Sequence, residues 1–211
     1  VADFEDKKIK KTAFGFIALR LLITLTVLCG GLYPLLITGL AHVFFPQQAG
    51  GSLLTQNGRI VGSRLLAQNS ADAGYFHPRP SACAYHTLPG SASNFAVSSS
   101  AFRDSIAVRQ NRLQKENKLS ADDVVPVDML CASASGLDPH ISPAAARMQI
   151  ARIAAARHLN AKTRKQLEEV VEQKTESRQL GFLGEPRVNV LALNFFLDNT
   201  NEFSNFYPKV R

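Results

Sequence analysis

Cysteine is scarce: the 211 residues hold only Cys29, Cys83 and Cys131, and none sits at a spacing that holds zinc. A zinc-built domain is excluded. Cys83 and Cys131 are left either as one bridge or as two buried free thiols, because nothing in a sequence sets the distance between them. Catalytic signatures are also missing. There is no glycine-rich phosphate loop ending in Lys-Ser or Lys-Thr, no HExxH and no GxSxG. No internal repeat is visible. Lys and Arg outnumber Asp and Glu 24 to 17, for a formal charge of +7. That excess is spread out, with no dense basic stripe, which argues against nucleic acid as a partner. A weak attraction to anionic surfaces or to an acidic partner subunit remains.

Long apolar runs are absent everywhere except at 13–45. From Leu21 to Ala41 no residue carries a charge. A helix of that length spans roughly 30 Å, the thickness of a bilayer's hydrocarbon core. Lys7, Lys8, Lys10 and Lys11 precede it, and the positive-inside rule keeps such an N-terminus in the cytoplasm. Arg20 at the edge can snorkel to the headgroups. His42-Val43-Phe44-Phe45-Pro46 is a poor cleavage sequence, so the run is expected to remain as an anchor. Gly30, Gly31 and Pro34 interrupt it, either as a tolerated kink or as a face on which a partner helix packs closely. The expected organisation is a cytoplasmic segment 1–12, a transmembrane helix 13–45, an extracytoplasmic domain 46–198 and a tail 199–211.

Beyond the linker at Phe45–Ser52, two apolar runs flank Asn57-Gly58, a hairpin signal that predicts strands near 52–56 and 59–66. Residues 69–101 are rich in Ser, Ala, Gly and Pro and lack periodicity, as in a functional or flexible loop. The spacing of Phe102, Ile106, Arg109 and Leu113 predicts a helix over 101–117. VDMLCASAS, at 127–135, reads as a short buried strand. Ser142 with Pro143 behind it starts a helix, and Asn160 caps a second one over 161–178, with Leu167, Val170 and Val171 as its buried stripe. Gly181 and Gly184-Glu185-Pro186 break the pattern. RVNVLALN, at 187–194, alternates like a late strand. Helices and strands mix, so the fold class is one N-terminal transmembrane helix plus a mixed α/β or α+β extracytoplasmic domain.

The one dense polar constellation is Ser133-Ala134-Ser135-Gly136-Leu137-Asp138-Pro139-His140-Ile141-Ser142. Its structural reading is a turn: Gly136 in a left-handed conformation, Asp138 in an Asx-turn before Pro139, Ser142 as a cap and His140 donating to a local carbonyl. It also offers a surface for a partner. A third reading is a membrane-tethered hydrolase using Ser135, Asp138 or His140, although triads depend on fold-level placement and not on local order. Tyr75-Phe76-His77-Pro78-Arg79-Pro80-Ser81 is either a fixed loop whose rings fill a core edge or an interface anchor. Gly181–Arg187 is a tight apolar turn with Glu185 and Arg187 near each other.

TVLCGGLYPLLITGLA, GSLLTQNGRIVGSRLLAQ, YFHPRPSA, YHTLPGSASN, SASGLDPHISPAAARMQIARIAAAR and LGFLGEPRVNVLALN, in that order, cover most of 15–198. Together they resemble the C subunits, KdpC, of the Kdp potassium-transporting P-type ATPases. The resemblance implies a non-catalytic accessory subunit of an ATP-driven potassium uptake complex in a bacterial inner membrane. The implied neighbours are a channel-like potassium-binding subunit, an ATP-hydrolysing pump subunit and a small stabilising peptide. It implies no cofactor on this chain, only a raised ATP affinity of the pump subunit in a ternary complex with nucleotide. The external domain is then placed to cap the potassium entrance. The expected partner contacts are Arg79, Gly136, Asp138 and His140, with Gly30 and Gly31 in the membrane-helix interface. A free-standing periplasmic binding module is the remaining alternative. Three stretches depart from the family pattern: Phe95–Ser100, Lys174-Thr175-Glu176 in place of a His-Thr-Glu, and the tail.

Overall fold

The computed structural model describes residues 2–56, 58–200 and Phe203, with side chains from Phe14 onward. The chain divides at Ser52 into two compact units.

In the first unit, α1 (Ala2–Val27) runs into a widened π turn (Leu28–Leu32), then α2 (Tyr33–Phe44) and the short α3 (Pro46–Ala49). Residues Phe14–Phe44 are long and apolar enough to cross a membrane. Gly30, Gly31 and Pro34 do not end the helix. Pro34 brings a ring and no N–H, and the turn ahead of it widens so that the Tyr33 N–H bonds to the Leu28 carbonyl, five residues back. Nothing lies within 4 Å of where a Cβ on Gly30 or Gly31 would stand.

The second unit is α+β, since its strand pairs among the described residues are antiparallel. β1 (Leu53–Gln56) and β2 (Arg59–Ser63) form the expected hairpin, with Gly58 at φ +75° supplying the turn and an irregularity between Leu54 and Thr55. Residues 64–99 contain neither helix nor strand. α4 (Ser100–Asn117) follows, capped by the Ser99 hydroxyl, which accepts the Phe102 N–H. VDMLCASAS is not a strand. Val127–Leu130 forms the short helix α5, and only Met129 of that helix is buried.

β3 (His140–Ile141) then leads directly into α6 (Pro143–Ala156). The Ser142 hydroxyl accepts the Ala145 N–H, and the proline at the first helical position gives up no bond. α6 is the central helix. Its face of Ala145, Ala146, Ile150 and Ile153 packs against α4 and α7 (Ala161–Gln173), and the alanines let those neighbours approach closely. Asn160 caps α7 as expected, and Leu167 and Val171 are buried. The helix stops at Gln173, short of 178, because Thr175–Glu176 leaves it to become β4.

RVNVLALN splits in two. Arg187–Asn189 is β5, the middle strand of the order β3-β5-β4. Asn189 then turns its side chain onto the Ala192 N–H and caps α8 (Val190–Asn199). The Val188/Val190 alternation that suggests a longer strand ends at that cap, and Leu193 and Leu197 pack into the core as helical residues. Phe203, from the segment read as the tail, joins the same core and meets Phe196 with ring centroids 5.7 Å apart. Phe206 and Tyr207, the other aromatic residues of that tail, lie outside the described residues.

Candidate functional site

The irregular stretch before α4 is held by polar side chains that come up from the helices beneath it. Tyr75 and Phe76 are buried, so their rings fill the core edge. Around them, the Asn194 carboxamide accepts the Phe76 N–H at 2.8 Å and donates to its carbonyl at 2.9 Å. Gln149 does the same for His77, at 2.7 and 3.2 Å. Arg152 donates to the Ala73 carbonyl and to Asn117. Arg157, wholly inaccessible, donates to the carbonyls of Gly74 and Phe203 and to the Asp198 carboxylate, and stacks 4.6 Å above the Tyr75 ring. The Tyr75 hydroxyl closes the group by donating to Asp198 at 2.8 Å. Backbone without ladder partners must find them elsewhere or lose stability. Here side chains from α6 and α8, with Arg157 just past the end of α6, supply them.

The same loop carries Arg79, and the structure brings it to Asp138. The guanidinium donates to the carboxylate at 2.9 Å. Asp138 also accepts the His140 N–H at 3.0 Å, which is the expected Asx-turn. The His140 ring lies 3.7 Å from that carboxylate, so its neighbour is Asp138 and not a local carbonyl. Burial alone would raise the Asp138 pKa. The hydrogen bonds from His140, then that from Arg79 and its charge, outweigh it and hold the group down at about 2. Gly136 has φ +71° and is buried; a Cβ there would strike Cys83 Sγ and stand 2.9 Å from the Ser91 carbonyl. All four expected contact residues, Arg79, Gly136, Asp138 and His140, therefore belong to one loop assembly, although 59 positions separate Arg79 from Asp138.

Around this assembly, Ser81 Oγ accepts the backbone N–H groups of Cys83 and Tyr85, and the Tyr85 hydroxyl returns to the Arg79 carbonyl. Cys83 and Cys131 are free thiols. The Ser81 hydroxyl beside Cys83 and nearby backbone donors pull that thiol's pKa down against the effect of burial. The Ser135 hydroxyl accepts the Leu137 N–H at 3.1 Å, so it is engaged in the turn and not with His140. Ser142, besides capping α6, gives its N–H and O–H to the two oxygens of Asp128. Glu185 and Arg187 do not pair with each other: Glu185 takes Arg178 at 2.7 Å, and Arg187 takes Glu176 at 2.9 Å.

Sequence reasoning missed Gln149, Arg152, Arg157, Asn194 and Asp198. A signal was present: each is a polar residue among the small or apolar ones of a helix or its end, where a solvated face would carry several together.

Between the 69–85 loop and α4 lies a cleft of about 290 Å³ whose lining includes His77, Ser81, Tyr85, Arg109, Arg112 and Glu116. The loop wall is fixed from below, and Arg109 is fixed by donating to the Leu130 carbonyl at 2.8 Å.

Residues 16–199 match the family model described as "KdpC: K+-transporting ATPase, c chain". Curated relatives carry the name potassium-transporting ATPase KdpC subunit. The chain is 49% identical to that of Photorhabdus laumondii over 185 residues, 86% of this chain and 94% of the relative. It is 44% identical to that of Geotalea uraniireducens over 185 residues, 86% and 95% of the two chains. With that of Mycobacterium tuberculosis the identity is 43% over 183 residues, with the same coverage.

Proposed function

Because the chain belongs to the KdpC family, the c chains of K+-transporting ATPases, we propose that it is a non-catalytic accessory subunit of an ATP-driven, high-affinity potassium uptake complex. The observation that carries this reading is the family match over residues 16–199, joined to identities of 43–49% along nearly the full length of the relatives. In this reading Phe14–Phe44 anchors the chain in a bacterial inner membrane. The lysines ahead of the anchor keep its start in the cytoplasm, which leaves the second unit in the periplasm. Its partners are a channel-like potassium-binding subunit, an ATP-hydrolysing pump subunit and a small stabilising peptide.

The periplasmic unit caps the external potassium entrance and steadies the assembly. Arg79, Asp138 and His140 keep part of their surface in solvent while fixed to one another, which suits a preformed contact face. Gly30 and Gly31 sit on a helix surface with open space around them, which suits close approach by another membrane helix. The sequence lacks a glycine-rich phosphate loop of the nucleotide-binding kind, and a periplasmic unit does not meet cytosolic ATP. Any effect on the pump subunit's ATP affinity is therefore a coupling carried through the assembled complex.

Sidedness and assembly test this together. Cys83 and Cys131 are free and partly accessible. A membrane-impermeant maleimide should label them in intact spheroplasts, and an affinity tag on this chain should bring down a large ATPase subunit. Labelling confined to inverted vesicles, or a chain that purifies alone, rejects the reading.

A further inference from the structure

The cleft between the 69–85 loop and α4 is built as a donor site. Arg109 and Arg112 lie three residues apart, hence on one face of α4, and both line it. Arg109 commits one N–H to the Leu130 carbonyl, which orients the guanidinium and leaves its other donors. Arg112 meets Glu116 at 3.6 Å, too long for a strong bidentate pair, and its side chain is 61% exposed. Across the gap, Ser81 Oγ accepts two backbone N–H groups and stands 3.3 Å from Cys83 Sγ, so its own hydrogen is shared between that thiol and the cleft. Ser70 Oγ accepts from the Asn194 amide, which leaves its hydrogen to donate. His77 is turned to the Asp72 carbonyl by Nε2. Burial, and then the charge of Arg152, hold its pKa down, so it adds no positive charge near neutral pH. Among the described residues, Glu116 is the single carboxylate in the lining. The inventory is two guanidinium groups and two hydroxyl donors against one carboxylate, on walls fixed by buried hydrogen bonds.

We propose that this cleft binds a phosphate group, held by Arg109 and Arg112 from α4 and by the hydroxyls of Ser70 and Ser81 from the facing loop. Arginine pairs suit tetrahedral oxyanions because each guanidinium offers parallel N–H groups to two oxygens. The volume, about 290 Å³, is at the small end for ligand pockets and admits a phosphate with a short substituent. Two sources share this chemistry: free inorganic phosphate and the headgroup of an anionic phospholipid. The site goes beyond the accessory role proposed above, and its readout is binding, which is independent of transport.

The experiment uses the full chain in detergent micelles and in nanodiscs. Inorganic phosphate is titrated at constant ionic strength, with chloride as the balancing anion, and thermal stability is followed. The midpoint should rise with phosphate concentration as a bound ligand requires. Arg112→Gln, at an exposed position, should leave the phosphate-free midpoint unchanged and weaken the phosphate response at least tenfold, and Arg112→Lys should recover part of it. In the second arm, nanodiscs of phosphatidylglycerol are compared with nanodiscs of phosphatidylcholine, and co-purifying lipid is counted by native mass spectrometry for the parent chain and for Arg112→Gln. An arginine-dependent response to phosphate alone supports the free anion as ligand. Arginine-dependent retention of phosphatidylglycerol supports the headgroup. A phosphate effect no larger than that of chloride together with no arginine-dependent lipid retention, or responses that Arg112→Gln leaves intact, overturns the proposal.

Discussion

Arg79 and Asp138 are joined at 2.9 Å across 59 positions of sequence. That ion pair ties the irregular loop to the turn that feeds α6. The carboxylate also takes the His140 N–H, so one group fixes both the closure of the loop and the local backbone.

Its pKa gives the first prediction. Asp138 is held at about 2, below its ordinary 3.8. A depressed carboxylate contributes stability that is fully present above the unfolded-state value and is lost as pH falls through the folded one. The loss should fall between about pH 4 and pH 2. The group is partly exposed, so solvent screening limits the contribution to about 1–2 kcal/mol. Urea denaturation of the parent chain and of Asp138→Asn, at pH 7 and at pH 3, checks this. The difference between the two proteins should shrink at the lower pH.

Gly136 should not tolerate alanine. Its φ of +71° costs a side-chain-bearing residue about 1–2 kcal/mol. The added methyl would also meet Cys83 Sγ and the Ser91 carbonyl. Gly136→Ala is expected to destabilise the unit by at least ~2 kcal/mol. Calorimetry should register a fall in Tm of several degrees. An unchanged Tm would mean that the turn is not held as described.

Arg157 and Asp198 form the buried anchor of the loop. Removing only one partner leaves an uncompensated charge, which costs about 3–5 kcal/mol. Asp198→Ala should therefore be far more damaging than removal of the exposed Arg147–Glu172 pair, worth at most about 1 kcal/mol. Comparing the denaturation midpoints of Asp198→Ala and Glu172→Ala tests the ranking. Equal effects would contradict the burial argument.

Ser142 couples two elements. It caps α6 and gives its N–H and O–H to Asp128. Ser142→Ala should cost about 1 kcal/mol from the cap. Asp128→Ala should lower stability as well, and the double variant should lose less than the sum, with a coupling of at least ~0.5 kcal/mol. A double-mutant cycle in urea measures it, and strict additivity would show that the two do not act together.

Local chemistry was legible in the sequence wherever one residue decides the outcome. Ser142 and Asn160 announce their helices, Asn57-Gly58 its hairpin, and Gly136 with Asp138 their turn. Two segments misled, for related reasons. VDMLCASAS and RVNVLALN are short apolar runs, and a run of that length does not distinguish a strand from a buried helix. In the second, Asn189 is a cap inside what reads as an alternation. The residues of the buried polar network left a signal, but their partners were not legible, because the Arg152–Asn117 pair lies 35 positions apart and Tyr75–Asp198 lies 123, and only the fold brings them together. Of the expected contact residues, Arg79, Gly136, Asp138 and His140 do assemble within the chain, although Arg79 and Asp138 lie 59 positions apart.

Potassium uptake by the assembled complex, measured with and without this chain, bears most directly on its role. Cells lacking the chain but expressing the other subunits should fail to accumulate potassium from micromolar medium, and a plasmid copy should restore uptake. Undiminished uptake in its absence would contradict an accessory role in transport.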